Sequence, residues 1–140
     1  MNVKIMSRPE IEEFIEDGYL SGIDVISFRD VEDTSMIDFE EFPGRVFSVA
    51  VDDLEYDELK EYGLTIDTYF PEAEEVAKFI REAIASNKDI ICQCEYGQGR
   101  SAGCAAAILE ALYGNGISIF SDYHYFPNKI IYNKLVDKIW

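Results

Sequence analysis

Residues 91–116 read ICQCEYGQGRSAGCAAAILEALYGNG and contain three kinds of sequence in immediate succession. The apolar run DIICQC, Asp89 to Cys94, has the length and composition of a buried strand. It leads into a polar loop with two glycines and then into an alanine-rich stretch, about Ser101 to Tyr113, that is typical of a closely packed helix. A strand that feeds a helix through a short loop is the basic unit of an α/β fold.

The rest of the chain repeats this alternation of strand and helix. Three further β-branched or aromatic runs of strand length are Val3 to Met6, Ile23 to Phe28 and Val46 to Val51. Apolar residues recur at helical spacing from Pro71 to Ser86, and Pro127-Asn128 opens a last helix. We therefore predict a single domain over residues 1–140, an α/β three-layer sandwich with a central, mostly parallel sheet flanked by helices.

The sequence also marks both ends of the first helix. Ser7, followed three residues later by Glu10, is a capping-box pattern, and Pro9 lies in the first turn. Gly18 is expected to end this helix.

The charge of the chain restricts the classes of partner. It has 28 acidic and 12 basic residues, a formal net charge of −16. Nucleic acid and anionic membranes would be repelled, so neither is expected as a partner. No apolar run has the length of a membrane span, and the N-terminus is acidic where a secretion signal needs an apolar core. A soluble, cytoplasmic protein with free thiols is therefore expected.

The loop CEYGQGR has the composition of an anion-binding cup. Gly97 and Gly99 permit the positive φ angles and the close approach that let backbone N–H groups converge. The following helix adds its unpaired N–H groups and the positive end of its dipole. Arg100 can hold two phosphate oxygens with its planar guanidinium. We predict that phosphate binds to the residues of this loop: Glu95, Tyr96, Gly97, Gln98, Gly99 and Arg100.

Cys94 stands at the bottom of the predicted cup. Helix N-termini and neighbouring cations lower a cysteine pKa by several units from its usual ~8.5, so the same donors stabilise a thiolate. A thiolate beneath a bound phosphate is placed for in-line attack on phosphorus, which gives a phosphocysteine intermediate. An isolated cysteine is more often a small buried residue, but this loop favours the catalytic interpretation.

The motif CEYGQGRSAG resembles the active-site loop of the protein tyrosine phosphatase superfamily, in which five residues separate the cysteine from the arginine and Ser or Thr follows. FPNKIIYNKL, Phe126 to Leu135, is similar to the Pro-Asn segment that opens the last helix of dual-specificity phosphatases. TYFPEAEEVAKFI resembles the helix that precedes their active-site strand. Low-molecular-weight tyrosine phosphatases carry the loop near the N-terminus, and rhodanese-like phosphatases lack the Pro-Asn helix. The resemblance therefore implies a compact, dual-specificity-like enzyme with a phosphotyrosine-phosphatase-like fold.

Such an enzyme needs a carboxylic acid to protonate the leaving group. The resemblance implies an aspartate upstream of the helix before the active-site strand. Asp53 is favoured and Asp52 is close behind, whereas Asp57 and Asp67 fit less well. Ser101 resembles the hydroxyl that helps the thiolate leave during hydrolysis of the phosphoenzyme. A serine at a helix start is usually a cap, and the two roles are compatible.

One position departs from the resemblance. The superfamily usually has histidine before the cysteine, and this chain has Gln93. Glutamine can donate a hydrogen bond but carries no charge, so we expect a competent site with a less acidic thiol. Gln93 is also the feature that favours the alternative interpretation, a catalytically inactive relative of these phosphatases.

The other candidate residues have simpler interpretations. Cys92 and Cys104 are expected in the core, although Cys92 could also act as a resolving thiol. His124 is expected to be structural or to lie at the cleft rim, and its spacing from the cysteines is not that of a metal site, so no metal or other cofactor is expected. The acidic run from Asp30 to Glu41 predicts a solvated face, or a surface that selects basic sequences around a phosphorylated residue.

The sequence thus predicts a cysteine-dependent phosphomonoester hydrolase, a protein tyrosine or dual-specificity phosphatase that acts on a phosphorylated protein or a small phosphomonoester. The alternative is a catalytically silent phosphate-binding module. A redox protein that uses Cys92 and Cys94 would leave Arg100 and the glycines unexplained. Phosphoinositide and RNA phosphatases share this loop but usually surround it with basic residues, which EYGQG lacks.

Overall fold

Four parallel strands form the centre of the molecule in the computed structural model, which describes residues 1–18 and 21–140. The strands are β1 (Val3–Met6), β2 (Ile23–Arg29), β3 (Val46–Ala50) and β4 (Asp89–Gln93). Their spatial order is β1-β4-β2-β3, and each neighbouring pair is parallel. The predicted sheet is therefore confirmed, with β4 in its interior.

Five α-helices and one 3₁₀ helix accompany the strands in the described residues. They are α1 (Arg8–Asp17), the 3₁₀ helix (Tyr56–Tyr62), α2 (Ala73–Ala85), α3 (Arg100–Tyr113), α4 (Ile117–Phe120) and α5 (Lys129–Val136). The sequence pattern predicts α1, α2, α3 and α5. It does not predict the 3₁₀ helix or α4, because both are too short for an apolar repeat to develop. None of the helices in residues 1–18 and 21–140 is long and apolar enough to cross a membrane.

The ends of α1 follow from its sequence. The Ser7 hydroxyl accepts a hydrogen bond from the Glu10 N–H, and the Glu10 carboxylate accepts one from the Ser7 N–H at 3.0 Å. Gly18 ends the helix in the left-handed region at φ 80°. The predicted capping box and helix stop are both confirmed, so α1 begins directly after β1.

Side chains of the central strands alternate between two cores, one on each face of the sheet. The main core combines Ile26, Phe28, Ile90 and Cys92 with buried residues of α2, α3 and α5. The smaller core on the opposite face contains Val25 and Ile91 together with Ile11 of α1 and Phe42. Helices therefore cover both faces, which confirms the predicted three-layer sandwich.

The three cysteines are free and buried. Cys92 and Cys104 are fully buried in the main core, as predicted. A hydrogen bond with Cys104 and burial raise the pKa of Cys92 well above its usual value. Cys92 is therefore a neutral thiol in the interior.

A buried carboxylate braces the amino ends of three strands. Asp24 of β2 is fully buried and pairs with Arg45 at 2.7 Å and with Lys88 at 3.5 Å. Arg45 precedes β3, and Lys88 precedes β4. The guanidinium of Arg45 also bonds Glu82 of α2 at 3.1 Å. Ion pairs therefore stabilise the amino ends of these strands, whereas the loops around Cys94 lie at the carboxyl ends.

Candidate active site

Loops from all four strands converge at the carboxyl edge of the sheet, because the strands are parallel. Ser7 follows β1, Asp30 follows β2, Asp53 comes after β3 and Cys94 follows β4. Ligands of open parallel sheets bind at this edge.

Backbone carbonyl groups of the loop from Cys94 to Gly99 bond segments outside the loop. Three of them accept hydrogen bonds from backbone N–H groups of neighbouring segments: Glu95 from Arg8 at 3.1 Å, Gln98 from Phe126 at 2.8 Å and Gly99 from Asn128 at 3.0 Å. In a trans peptide the N–H points opposite to the carbonyl, so the N–H groups that follow these carbonyls face the inside of the loop. This arrangement has the form of an anion-binding nest.

Both loop glycines are required by close contacts. Gly97 has φ 68°, and a Cβ at this position would lie 2.8 Å from the Ser7 nitrogen. At Gly99, a Cβ would collide with the Asp53 carboxylate. The two glycines therefore let β1–α1 and the segment after β3 pack directly against the loop.

Cys94 lies at the bottom of the loop with 2% of its surface exposed. Its Sγ is 3.0 Å from the Ser101 Oγ. Burial opposes ionisation, but hydrogen bonds from the Ser101 hydroxyl and N–H, the charge of Arg100 and the Gly97 N–H outweigh it. The pKa of Cys94 is therefore lowered, and the thiolate is favoured.

Ser101 does not cap α3. The helix begins at Arg100, one residue earlier than predicted, and no side chain caps it at Gly99. Ser101 consequently lies within the first turn, where its buried hydroxyl contacts Cys94. The predicted role of Ser101 as a helix cap is therefore wrong. The contact with Cys94 that a role in thiolate departure requires is present.

Arg100 is buried, and in the described residues its guanidinium is held through one nitrogen, Nη1. Its Nη1 donates to the Asp30 carboxylate at 2.7 Å and to the Val51 carbonyl oxygen at 2.8 Å. Its Nε is buried and has no hydrogen-bond partner among the described residues. An unsatisfied buried donor costs about 1–3 kcal/mol, so this atom would gain from an anion in the loop.

The two aspartates after β3 point in different directions. Asp52 accepts a hydrogen bond from the Val31 N–H at 3.0 Å and thereby fixes the segment after β2. Asp53 packs its carboxylate against Gly99, and its Oδ1 accepts from Asn128 Nδ2 at 2.9 Å. The fold therefore brings Asp53 to the loop and turns the Asp52 carboxylate towards Val31.

Gln93 supports the backbone beneath the thiol. It is 2% exposed, and its Nε2 donates to the Cys94 carbonyl oxygen at 3.0 Å. The Ser27 hydroxyl of β2 donates to its Oε1. The neutral amide thus orients the peptide after β4 without adding a charge.

Asn128 belongs to the site, although the sequence marks it only as a helix start. Its Oδ1 caps α5 by accepting from the Ile131 N–H at 2.9 Å. Its Nδ2 lies 2.9 Å from the Asp53 carboxylate and 3.0 Å from the Tyr69 hydroxyl. Its own N–H bonds the Gly99 carbonyl oxygen. One side chain and its backbone therefore join the loop, the segment after β3 and α5.

One group of carboxylates in the described part of the chain lies close enough together to hold a metal ion: Glu55, Asp57 and Glu58. The Glu55 N–H donates to the Glu58 carboxylate at 2.9 Å, a capping bond of the 3₁₀ helix. The group thus has a structural explanation. His124 is exposed and bonds Asp122 at 2.8 Å, as expected for a structural or rim residue.

Two open grooves flank the loop. One has a volume of about 450 Å³ and runs between Asp53 and Phe126. The other, which we call the acidic groove, has a volume of about 610 Å³. Its charged lining residues are Arg8, Asp30, Glu32, Asp33, Asp52 and Glu95.

No family model and no curated protein matches the sequence. Solved structures do match. They include the Cydia pomonella PTP-2 phosphatase, with a TM-score of 0.65 and 16% identity over 99% of this chain and 86% of that one. Human DUSP28 has a TM-score of 0.58 and 12% identity over 98% and 90% of the two chains. PTPMT1 in complex with PI(5)P has a TM-score of 0.57 and 13% identity over 99% and 90%. The chain therefore has the fold of tyrosine and dual-specificity phosphatases, as predicted.

Proposed function

We propose that this protein is a cysteine-dependent phosphomonoester hydrolase, a protein tyrosine or dual-specificity phosphatase that acts through a phosphocysteine intermediate. The observation that carries the proposal is the Arg100 Nε, which is buried without a partner among residues 1–18 and 21–140 and lies at a loop of inward N–H groups. A thiol of lowered pKa, Cys94, lies at the bottom of the same loop. A phosphate in the loop would satisfy the arginine and place phosphorus above the nucleophile.

In the first step, the Cys94 thiolate attacks phosphorus and the bond between phosphorus and the leaving oxygen breaks. The leaving oxygen takes a proton from the carboxylic acid of Asp53, which faces the loop over Gly99. Arg100 and the loop N–H groups stabilise the charge on the equatorial oxygens.

In the second step, water attacks the phosphocysteine and gives its proton to the Asp53 carboxylate. The bond between phosphorus and sulfur breaks, and inorganic phosphate is released. The Ser101 hydroxyl, 3.0 Å from Sγ, donates a hydrogen bond to the departing thiolate. In this mechanism protein groups provide all the charge stabilisation, and no cofactor takes part. The three free cysteines fit a reducing compartment, for which we propose the cytoplasm.

Hydrolysis of a generic aryl phosphate tests the proposal. The unmodified protein should turn it over in the presence of a metal chelator, vanadate should inhibit, and Cys94→Ser should abolish activity. Cys92→Ser is the matched control, since Cys92 lies in the core and takes no part in the two steps. Binding of vanadate without any turnover would replace the proposal by a silent phosphate-binding module.

A further inference from the structure

The acidic groove has a strong excess of negative charge directly beside the loop. Five carboxylates and a single guanidinium, that of Arg8, line it. Arg8 already lies within 3.5 Å of Asp33, 3.6 Å of Glu12 and 4.0 Å of Glu95. Its charge is therefore shared among carboxylates, and the groove as a whole attracts cations.

Aromatic rings stand exposed at the same groove. Tyr96 of the loop is 78% exposed, and Tyr62 at the end of the 3₁₀ helix is 56% exposed. The face of an aromatic ring attracts a guanidinium or an ammonium group, and more often the former. Carboxylates together with open ring faces form a surface for arginine or lysine side chains.

The groove adjoins the loop in which we propose that the phosphate binds. Asp30 lines the groove and also bonds Arg100, whose buried Nε has no partner in the described part of the chain. Glu95 and Tyr96 are loop residues that line the groove as well. A substrate whose phosphate lies in the loop therefore has its neighbouring groups over the acidic groove.

We propose that the acidic groove binds an arginine or lysine that flanks the phosphorylated residue of a protein substrate. This inference rests on the proposed function and narrows its substrate class. The volume of about 610 Å³ accommodates side chains beyond the phosphorylated residue, which a small phosphomonoester lacks. A phosphoinositide headgroup in an anionic bilayer would instead meet like charge along this groove. PTPMT1, whose fold this chain shares, was solved in complex with PI(5)P, so the test below includes a phosphatidylinositol monophosphate.

Matched phosphotyrosine peptides test the inference. Three peptides of equal length carry arginine, glutamine or glutamate on both sides of the phosphotyrosine, and fluorescence anisotropy measures their affinity for the Cys94→Ser protein. We expect the arginine peptide to bind about five- to tenfold more tightly than the glutamine peptide, and the glutamate peptide to bind most weakly.

A groove variant and a matched control locate the effect. Glu32→Gln with Asp33→Asn removes two groove charges, and Glu13→Gln with Glu16→Gln removes two charges from exposed positions of α1. In the Cys94→Ser background, the groove variant should lower the preference for arginine about two- to threefold. The control should leave the preference unchanged.

Four results would overturn the inference: equal affinity for the three peptides, binding of none of them, an equal loss of preference in the control variant, or faster hydrolysis of a phosphatidylinositol monophosphate in vesicles than of any peptide. Turnover of an aryl phosphate, which has no flanking residues, reports separately on the proposed function. The affinity comparison decides the groove inference even if the unmodified protein hydrolyses nothing.

Discussion

At the scale of single residues, the Cys94 thiol depends on the hydroxyl beside it. Removal of the Ser101 hydroxyl takes away a hydrogen bond that favours the thiolate, so Ser101→Ala should raise the pKa of Cys94. Hydrogen bonds to charged groups contribute about 1.5–3 kcal/mol, so the loss of this bond should be measurable. The pH dependence of alkylation by iodoacetamide measures the pKa of Cys94, because Cys94 lies at the bottom of the loop, whereas Cys92 and Cys104 lie within the main core.

The direction of this change is fixed by the lowered folded-state pKa. In the unmodified protein, the thiolate stabilises the folded state fully above the unfolded-state pKa, and this contribution is lost as pH falls through the folded-state pKa. Ser101→Ala should bring the folded-state pKa of Cys94 closer to its unfolded-state pKa. The pH range between the two values then becomes narrower, and the alkylation midpoint moves to higher pH. Ser118→Ala, an exposed serine of α4, is the control and should not move the midpoint. An unchanged midpoint in Ser101→Ala would contradict the role assigned to the hydroxyl.

Residue types and local spacing predict part of the site and miss its long-range contacts. The spacing from Cys94 to Arg100 predicts the loop, and the end of β3 predicts an aspartate, because both signals are local. Asp30 bonds Arg100 across 70 residues of sequence, and Asn128 bonds Asp53 across 75. No local pattern indicates either contact, since only the packed sheet and α5 bring these side chains together.

At the scale of elements, Asn128 connects the start of α5 to the site, and two substitutions separate these roles. Asn128→Ala removes both the helix cap and the amide donors, so we expect a loss of about 2–3 kcal/mol in the free energy of unfolding and a large fall in kcat. Asn128→Asp retains a capping oxygen but places a second carboxylate beside Asp53. It should therefore keep more stability than Asn128→Ala and still lose kcat.

Urea denaturation and steady-state kinetics on both variants provide the two readouts. Asn133→Ala is the matched control on the same helix, because its exposed side chain bonds the Tyr56 hydroxyl and no other group among the described residues. It should change the free energy of unfolding by less than about 0.5 kcal/mol. Full kcat in Asn128→Asp would show that the bond to Asp53 does not position the acid.

The elements themselves are largely predictable from the sequence. β-branched, aromatic and apolar runs of strand length predict the four strands, and the Ser7 capping box and Gly18 predict both ends of α1. The 3₁₀ helix escapes prediction because its position depends on packing: Leu59 is buried in the main core, while the segment around it is acidic and exposed. Short elements without their own apolar face are defined by tertiary contacts.

At the scale of the whole molecule, the net charge of −16 opposes the approach of a phosphate dianion. Salt screens this repulsion, so kcat/KM for a generic aryl phosphate should rise about two- to threefold between about 20 and 200 mM NaCl. For the arginine-flanked phosphopeptide, kcat/KM should fall over the same range of salt concentration, since salt also screens the attraction between the acidic groove and the arginines. The same protein and buffer series serves both substrates. Parallel salt responses would mean that the overall field has no part in substrate choice.

The position of β4 inside the sheet has a consequence for biosynthesis. In the described residues β1 pairs with β4 and with no other strand, with Val3 opposite Ile90, so β1 is made almost ninety residues before its partner. Contacts between such distant segments form slowly, and chains emerge from the N-terminus. The four-stranded sheet can form only after β4 has emerged, and the loop that follows β4 forms at the same stage. A nascent chain that stops before Asp89 lacks both β4 and the loop that follows it, so we expect the sheet and the candidate site to form together at a late stage of synthesis.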